Sequence, residues 1–385
     1  MTEPTAVSVP NAGLEIPLTD YVKLTLLPLY LFLSLIQVAI RRIKSRGSRE
    51  LPFRKDYILT VARAAPVPVS FSRCGYDASV AVLSSPRFQL HAATLYQPVF
   101  EERVAGYWMC RGAPGHPTAP ASSSIVLYYI HGGAYVEGSP ARFLATVLRI
   151  AELAAERGVT LSCFALRYSY APEAKWPAQL DQAVAGYRYL TENHKIDAGS
   201  IAVLGDSAGG HLALSLLVRI HEMELRRPGR GVFLTSPWVD LSCSPRPSWE
   251  SNKYKDFLSR CALVRCGKQL YPSQQSYETS PFIDFSRPLA KGTSWKDILP
   301  SRVWMSAGGH EVFLDEIIAF KQILGRDGVD ADVEVEIGGI HVWQGTGDIF
   351  DVGKYLKMEG NLPDSSMRGA RNIANAILKG AEGWA

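Results

Sequence analysis

From residue 88 onward, short β-rich runs alternate with stretches of helical spacing, and this alternation narrows the possible folds more than any other feature of the chain. The runs are FQLHAATL (88–95), SIVLYYI (124–130), LSCFALRY (161–168), SIAVLG (200–205), GVFLTS (231–236), RVWMSAG (302–308) and DVEVEI (332–337). Several are continuously apolar, as strands covered on both faces are. Candidate helices fall between them at about 141–157, 177–192, 208–223, 312–326 and 365–380. The pattern predicts an α/β domain with a mostly parallel central sheet and helices on both faces. GAPGHPTAPASSS (112–124) has the composition of an exposed loop. Residues 243–300 break the alternation with aromatic, Ser and Pro residues in no clear period. They read as an insertion between two strands and a natural pocket lid.

The run SIAVLG empties into Gly205-Asp206-Ser207-Ala208-Gly209-Gly210, and HLALSLLVRI follows with helical spacing. A serine between a buried strand and a helix fits the G-x-S-x-G elbow, where glycines remove side chains that would collide in a sharp turn. The same five residues elsewhere would be a weak signal. Here they make Ser207 the candidate nucleophile, presented at the carboxyl edge of the sheet, against the plainer reading of a structural turn. A second strand, SIVLYYI, runs directly into His131-Gly132-Gly133-Ala134-Tyr135. Adjacent glycines leave backbone N–H groups uncovered, and fixed donors aimed at a developing oxyanion lower the barrier of acyl transfer. The candidate donors are the amides of Gly132, Gly133 and Ala208. The plainer alternative is a glycine turn with His131 as a core residue or a metal ligand.

A serine nucleophile needs a histidine base. In hydrolases built on this elbow the members follow in the order Ser, acid, His. Four histidines follow Ser207: His211, His221, His310 and His341. The first two lie on the helix after the serine and point away from its oxygen. His310 directly precedes Glu311, and one loop does not readily offer both a base and its orienting acid. His341, in the loop GGIHVWQG after the last strand run, is therefore the expected base. Glu311 stands at the exit of RVWMSAG and is the expected acid. Asp315 is the reserve acid, with a solvated first-turn helix residue as its plainer reading.

The N-terminal region reads differently. Residues 24–40 form a 17-residue run without charge, about 25 Å long as a helix against roughly 30 Å of hydrocarbon core. Basic residues follow the run, with seven bases against one acid over residues 41–55, so it does not resemble a cleaved signal peptide. If the segment crossed a bilayer, the basic side and everything after it would face the cytosol. The alternative is a helix, interrupted by Pro28, that closes an apolar substrate pocket. We expect residues 1–60 to form this apolar cap or membrane-associating segment, and residues 61–385 to form the catalytic domain. A net charge of +4, from 41 basic and 37 acidic residues, is too balanced for a dedicated nucleic-acid binder. Six scattered cysteines with no CxxC pair argue against a zinc cluster or redox pair. No cofactor or metal is expected.

Taken together, HGGA (131–134), YAPE (170–173) with WPAQ, GDSAGG (205–210), SPWVDLS (236–242), GGHEVFLDE (308–316) and the histidine of GGIHVW resemble the hormone-sensitive-lipase-like branch of the α/β-hydrolases. The resemblance runs from about residue 88 to the C-terminus. It implies an α/β-hydrolase fold and a serine esterase with Ser207, an acid near 311 and His341. YAPE with SPWVDLS looks most like the fungal members, which would imply a cap built from the N-terminal region and the insertion. Aspartate is the commoner acid in the family, so Glu311 is a departure, and Ala134 replaces the third glycine of the commoner HGGG. The leading expectation is hydrolysis of a small hydrophobic ester, with secondary metabolism as one setting. The same acyl-enzyme would also serve an acyltransferase, a lactone-forming enzyme or a thioesterase. A non-catalytic receptor on this fold would be expected to have lost a triad member.

Overall fold

The structure, a computed structural model, describes residues 18–44, 50–64, 76–290, 292–360 and 362–380. Residues 1–17 and 45–49 of the N-terminal segment lie outside the described residues. Among the described residues nine strands form the sheet: β1 (Gln97–Glu101), β2 (Val104–Ala113), β3 (His116–Pro117), β4 (Ile125–Ile130), β5 (Leu161–Leu166), β6 (Ile201–Asp206), β7 (Gly231–Thr235), β8 (Val303–Gly308) and β9 (Ala331–Glu336). Their spatial order is β1-β2-β5-β4-β6-β7-β8-β9, with β3 folded back on β2. Pairing is antiparallel from β1 through β2 to β5 and parallel from β5 to β9. The fold is that of an α/β hydrolase.

Strand β4 shows why the sheet is double-faced. All six of its residues are buried, and the period of two sends Val126, Tyr128 and Ile130 into one core and Ile125, Leu127 and Tyr129 into the other. The first core is covered by helices Ala178–Arg188, Ala208–Glu222 and Leu314–Arg326, and the second by Leu144–Ala155 and Arg368–Leu378. Each fully buried Val, Leu or Ile stabilises the fold by about 1.5–3 kcal/mol.

One strand expectation needs correction, and one hairpin was not foreseen. FQLHAATL (88–95) is a series of turns with a 3-10 segment, Ala92–Thr94, rather than a strand. Phe88 and Leu95 plug the second core while Leu90 lies exposed. The edge of the sheet is taken instead by the β1–β2 hairpin, whose Glu101-Glu102-Arg103-Val104 turn and interior Gly106 hid it from a search for apolar runs. Helix Trp343–Tyr355 was also missed, because Gly345, Gly347 and Gly353 argue against a helix.

The apolar N-terminal run lies within a longer helix, α1 (Leu18–Lys44), that packs antiparallel on α2 (Phe53–Ala64). The boundary expected at residue 60 falls inside α2. Tyr30 Oη donates to the Thr60 carbonyl (3.4 Å) and Tyr57 Oη to the Leu31 carbonyl (3.1 Å). Arg41 and Arg42 both pair with the buried carboxylate of Asp56. Ser34 and Val38 are buried, whereas Leu26, Leu29, Phe32, Leu33, Ile36 and Ile40 remain exposed. Residues 243–300 fill the β7–β8 connection with short helices.

Candidate active site

Strand β6 ends at Asp206, and Ser207 adopts φ 52° and ψ −121° before helix Ala208–Glu222 begins. That conformation costs of order 1–3 kcal/mol for a non-glycine residue and persists only where its surroundings impose it. Here the Ser207 N–H donates to the Thr235 carbonyl (3.0 Å), and the Trp238 N–H donates to the Ser207 carbonyl (3.0 Å). Gly209 makes the turn sterically feasible, because a Cβ there would lie 2.1 Å from the Ile130 carbonyl oxygen.

His341 Nε2 lies 2.8 Å from Ser207 Oγ, and its Nδ1 lies 2.6 Å from Glu311 Oε1. A carboxylate can only accept at Nδ1, so that nitrogen carries the proton and Nε2 is left to accept from the serine hydroxyl. Glu311 is fully buried, and its second oxygen accepts from Ser236 Oγ and the Gly308 N–H, both at 2.8 Å. Burial lowers the proton affinity of the His341 ring, but the Glu311, Asp256 and Asp206 carboxylates more than offset this and leave its pKa raised. The structure therefore brings Ser207, Glu311 and His341 into one line of hydrogen bonds. Asp315 is engaged elsewhere, where its Oδ2 accepts from the Ser248 N–H (2.7 Å) and ties helix Leu314–Arg326 to the insertion.

The oxyanion candidates separate. The Gly132 N–H is already committed to Asp206 Oδ1 at 3.0 Å, so Gly132 is withdrawn as a donor. Its glycine identity has a different cause: a Cβ at 132 would lie 2.3 Å from Asp206 Oδ2. Tyr129 Oη also donates to Asp206 Oδ1 (2.8 Å), which locks β4 to β6 across the site. Gly133 and Ala208 remain as candidate donors. His131 Nδ1 donates to the Gly132 carbonyl (2.7 Å), its ring stacks on Tyr168 at 4.3 Å, and burial pushes its pKa down to about 4. Among the described residues no group of three or more metal-ligating side chains occurs.

The segment that follows β5 and runs into YAPE acts on this loop. Tyr168 Oη donates to the His131 carbonyl (2.7 Å), Tyr170 Oη to the Gly138 carbonyl (2.5 Å), and the Ala171 N–H to the Tyr135 carbonyl (2.8 Å). From the other side, His211 Nε2 donates to the Phe282 carbonyl and its Nδ1 accepts from Tyr135 Oη, both at 2.6 Å. Burial lowers the His211 pKa to about 4, so it is a neutral structural link. Tyr135 is held at φ 65° by these contacts, and Ala134 before it adopts φ 52°.

Sequence reasoning missed two buried acids. Asp256, in the insertion, accepts from the backbone N–H groups of His341 (3.3 Å) and Val312 (3.0 Å), and burial pushes its pKa up to about 6. Glu316 is fully buried with no hydrogen-bond partner for either oxygen among the described residues, and burial raises its carboxyl pKa well above the usual range. An acid whose folded pKa is raised contributes stability below its unfolded pKa and loses it as pH rises through the folded value. Glu316→Gln is therefore expected to melt near wild type at pH 5 and several degrees above it at pH 9. Melting curves that stay parallel from pH 5 to 9 would show that Glu316 carries no such penalty.

A profile for the alpha/beta hydrolase fold matches residues 127–345, more than half of the sequence. The chain belongs to this family. The alpha/beta hydrolase is 31% identical over 236 residues to an acetyl-hydrolase of Streptomyces hygroscopicus, which covers 60% of this chain and 73% of that one. It is 25% identical over 224 residues to an esterase of Fusarium pseudograminearum, covering 57% and 65% of the two chains. A crystal structure of an esterase from the bacterial hormone-sensitive lipase family aligns with a TM-score of 0.63 at 25% identity, over 84% of this hydrolase and 95% of that chain. These similarities place the alpha/beta hydrolase in the hormone-sensitive-lipase-like branch and in the carboxylic-ester hydrolase class.

Proposed function

We propose that this enzyme cleaves a short-chain carboxylic ester of a small hydrophobic molecule through an acyl-enzyme on Ser207. The observation that carries the reading is the continuous line from Ser207 Oγ through His341 to Glu311. His341 Nε2 takes the hydroxyl proton as Ser207 Oγ attacks the ester carbonyl, and Glu311 stabilises the imidazolium that forms. The Gly133 and Ala208 amides receive the oxyanion. His341 then returns the proton to the leaving alkoxide, and a water activated by the same nitrogen releases the acid. The name of the Streptomyces relative supports an acetyl group as the acyl part. YAPE and SPWVDLS, with the Fusarium esterase beside them, support a fungal-type member. A receptor would not need a base aimed at a serine. The test is covalent labelling of Ser207 by a fluorophosphonate, followed by p-nitrophenyl esters of rising chain length. Acetate to butyrate should be cleaved fastest, and an unlabelled serine with no turnover would overturn the reading. Adding alcohols as acceptors measures how far the acyl group is transferred rather than hydrolysed.

We also propose that the enzyme attaches to a membrane through α1. Its 27 residues span about 40 Å, while the 12 of α2 span about 18 Å, so the first half of α1 reaches beyond its partner. The exposed Leu26, Leu29, Phe32 and Leu33 form an apolar face that water does not readily tolerate. Lys44 closes the helix with a basic residue, as at a membrane interface, while Arg41 and Arg42 are held by Asp56. A chain starting near Arg46 is expected to leave the membrane fraction for the soluble one. It should also melt at a lower temperature, because Asp56 loses both guanidinium partners. Full-length protein that fails to sediment with phospholipid vesicles would refute the attachment.

A further inference from the structure

Val342, directly after the proposed base, sits at φ 48°, a left-handed conformation that a β-branched residue adopts only under constraint. Two successive amides supply that constraint. The Val342 N–H donates to Ser236 Oγ (2.9 Å), and the His341 N–H donates to Asp256 Oδ1 (3.3 Å). Asp256 Oδ2 accepts from the Val312 N–H (3.0 Å), one residue after Glu311, so one carboxylate spans the loops of both base and acid. Asp256 is in turn fixed from the N-terminal hairpin: Arg63 of α2 donates through Nε (3.1 Å) and Nη2 (2.7 Å) to its backbone carbonyl. The charged and titratable groups that face Asp256 are the His341 ring, the Glu311 carboxylate and the Arg63 guanidinium. Those that face His341 are Glu311, Asp256 and Asp206.

We infer that Asp256 is a positioning residue for the catalytic histidine and that Arg63 couples the N-terminal hairpin to it. The inference rests on the triad reading above. Its physical content is twofold. Asp256 holds the strained turn that aims His341 Nε2 at Ser207, and its charge adds to that of Glu311 in favouring the imidazolium. The hairpin is thereby part of the machinery that places the base, in addition to any contact it makes with a membrane.

The experiment compares Asp256→Asn, Asp256→Ala, Arg63→Ala and the Arg63→Ala/Asp256→Ala pair in the full-length protein. Asp256→Ala is expected to lower kcat about 10²-fold, the loss that a misplacement of about 1 Å brings, with KM changed only a few-fold. Arg63→Ala should lower kcat about tenfold, and the pair should lose no more than Asp256→Ala alone, because both act through one contact. Asp256→Asn keeps the side-chain volume and so reports even if the alanine variant fails to fold. With one carboxylate fewer against His341, the acid limb of its kcat/KM profile should move to lower pH. The low-field proton resonance of His341 Nδ1–H should titrate at lower pH in the same variant. Because that resonance is read without turnover, its shift in a chain that cleaved no ester would count against the hydrolase reading and leave the positioning role standing. Wild-type kcat, acid limb and resonance in both Asp256 variants would overturn the inference. Fully additive losses in the double variant would remove Arg63 from it.

Discussion

Replacing Ser207 with alanine is expected to lower ester turnover by about 10⁶-fold, the scale on which removal of a serine nucleophile acts, with the residual rate coming from binding and the oxyanion donors. The melting temperature should stay within a degree or two of wild type. Alanine meets the same steric limit at φ 52° that serine does, and the backbone bonds to Thr235 and Trp238 do not involve the hydroxyl. The checks are turnover of p-nitrophenyl acetate and a thermal melt on the same sample. Retained turnover would remove the acyl-enzyme from the mechanism.

The second large effect concerns the acid. Glu311→Gln keeps the shape of a side chain that is fully enclosed and bonded to Ser236, Gly308 and His341. An amide in that place no longer enforces the Nδ1–H tautomer, and kcat is expected to fall by about 10³–10⁴. Asp315→Ala makes the contrasting case. It removes the acceptor of the Ser248 N–H and should cost about 1 kcal/mol of stability, as loss of a comparable side-chain-to-backbone bond does, with kcat within a few-fold of wild type. Steady-state kinetics alongside denaturant melts separate the two. If Asp315→Ala were the variant that lost kcat, the acid would have to be reassigned.

The parts of this molecule that could be read from the chain are those whose chemistry is local in sequence. Ser207 was legible because a strand, a serine between glycines and a helix follow one another within a dozen residues. His341 and Glu311 were legible because chain order limits the candidates. The glycine at 132 was legible as a requirement, but its reason was not. That reason is the Asp206 carboxylate on the neighbouring strand, which occupies the amide and the space a side chain would need. Asp256 was invisible for the same kind of reason. It serves through the backbone N–H groups of His341 and Val312, and backbone groups leave no mark on residue identity. The β1–β2 hairpin and helix Trp343–Tyr355 were missed where glycines and charges, tolerated by tertiary packing, dilute the local preference that a search along the chain relies on.

Gly209 brings the backbone of the nucleophile helix against the carbonyls of Ile130 and His131, with no side chain between them. Main chain resting on main chain has no rotamers to adjust, so the distance from serine to oxyanion loop is set by the peptide itself. New selectivity in such an enzyme must come from elsewhere. A laboratory library spread over residues 131–133 and 205–210 would return mostly dead variants. The 243–300 insertion reaches the site through Phe257, whose ring lies 5.7 Å from that of His341. Diversity placed there would sample substrates while the reacting atoms keep their spacing, provided it spares Asp256 and Asn252, whose Nδ2 donates to the Glu311 carbonyl (2.9 Å).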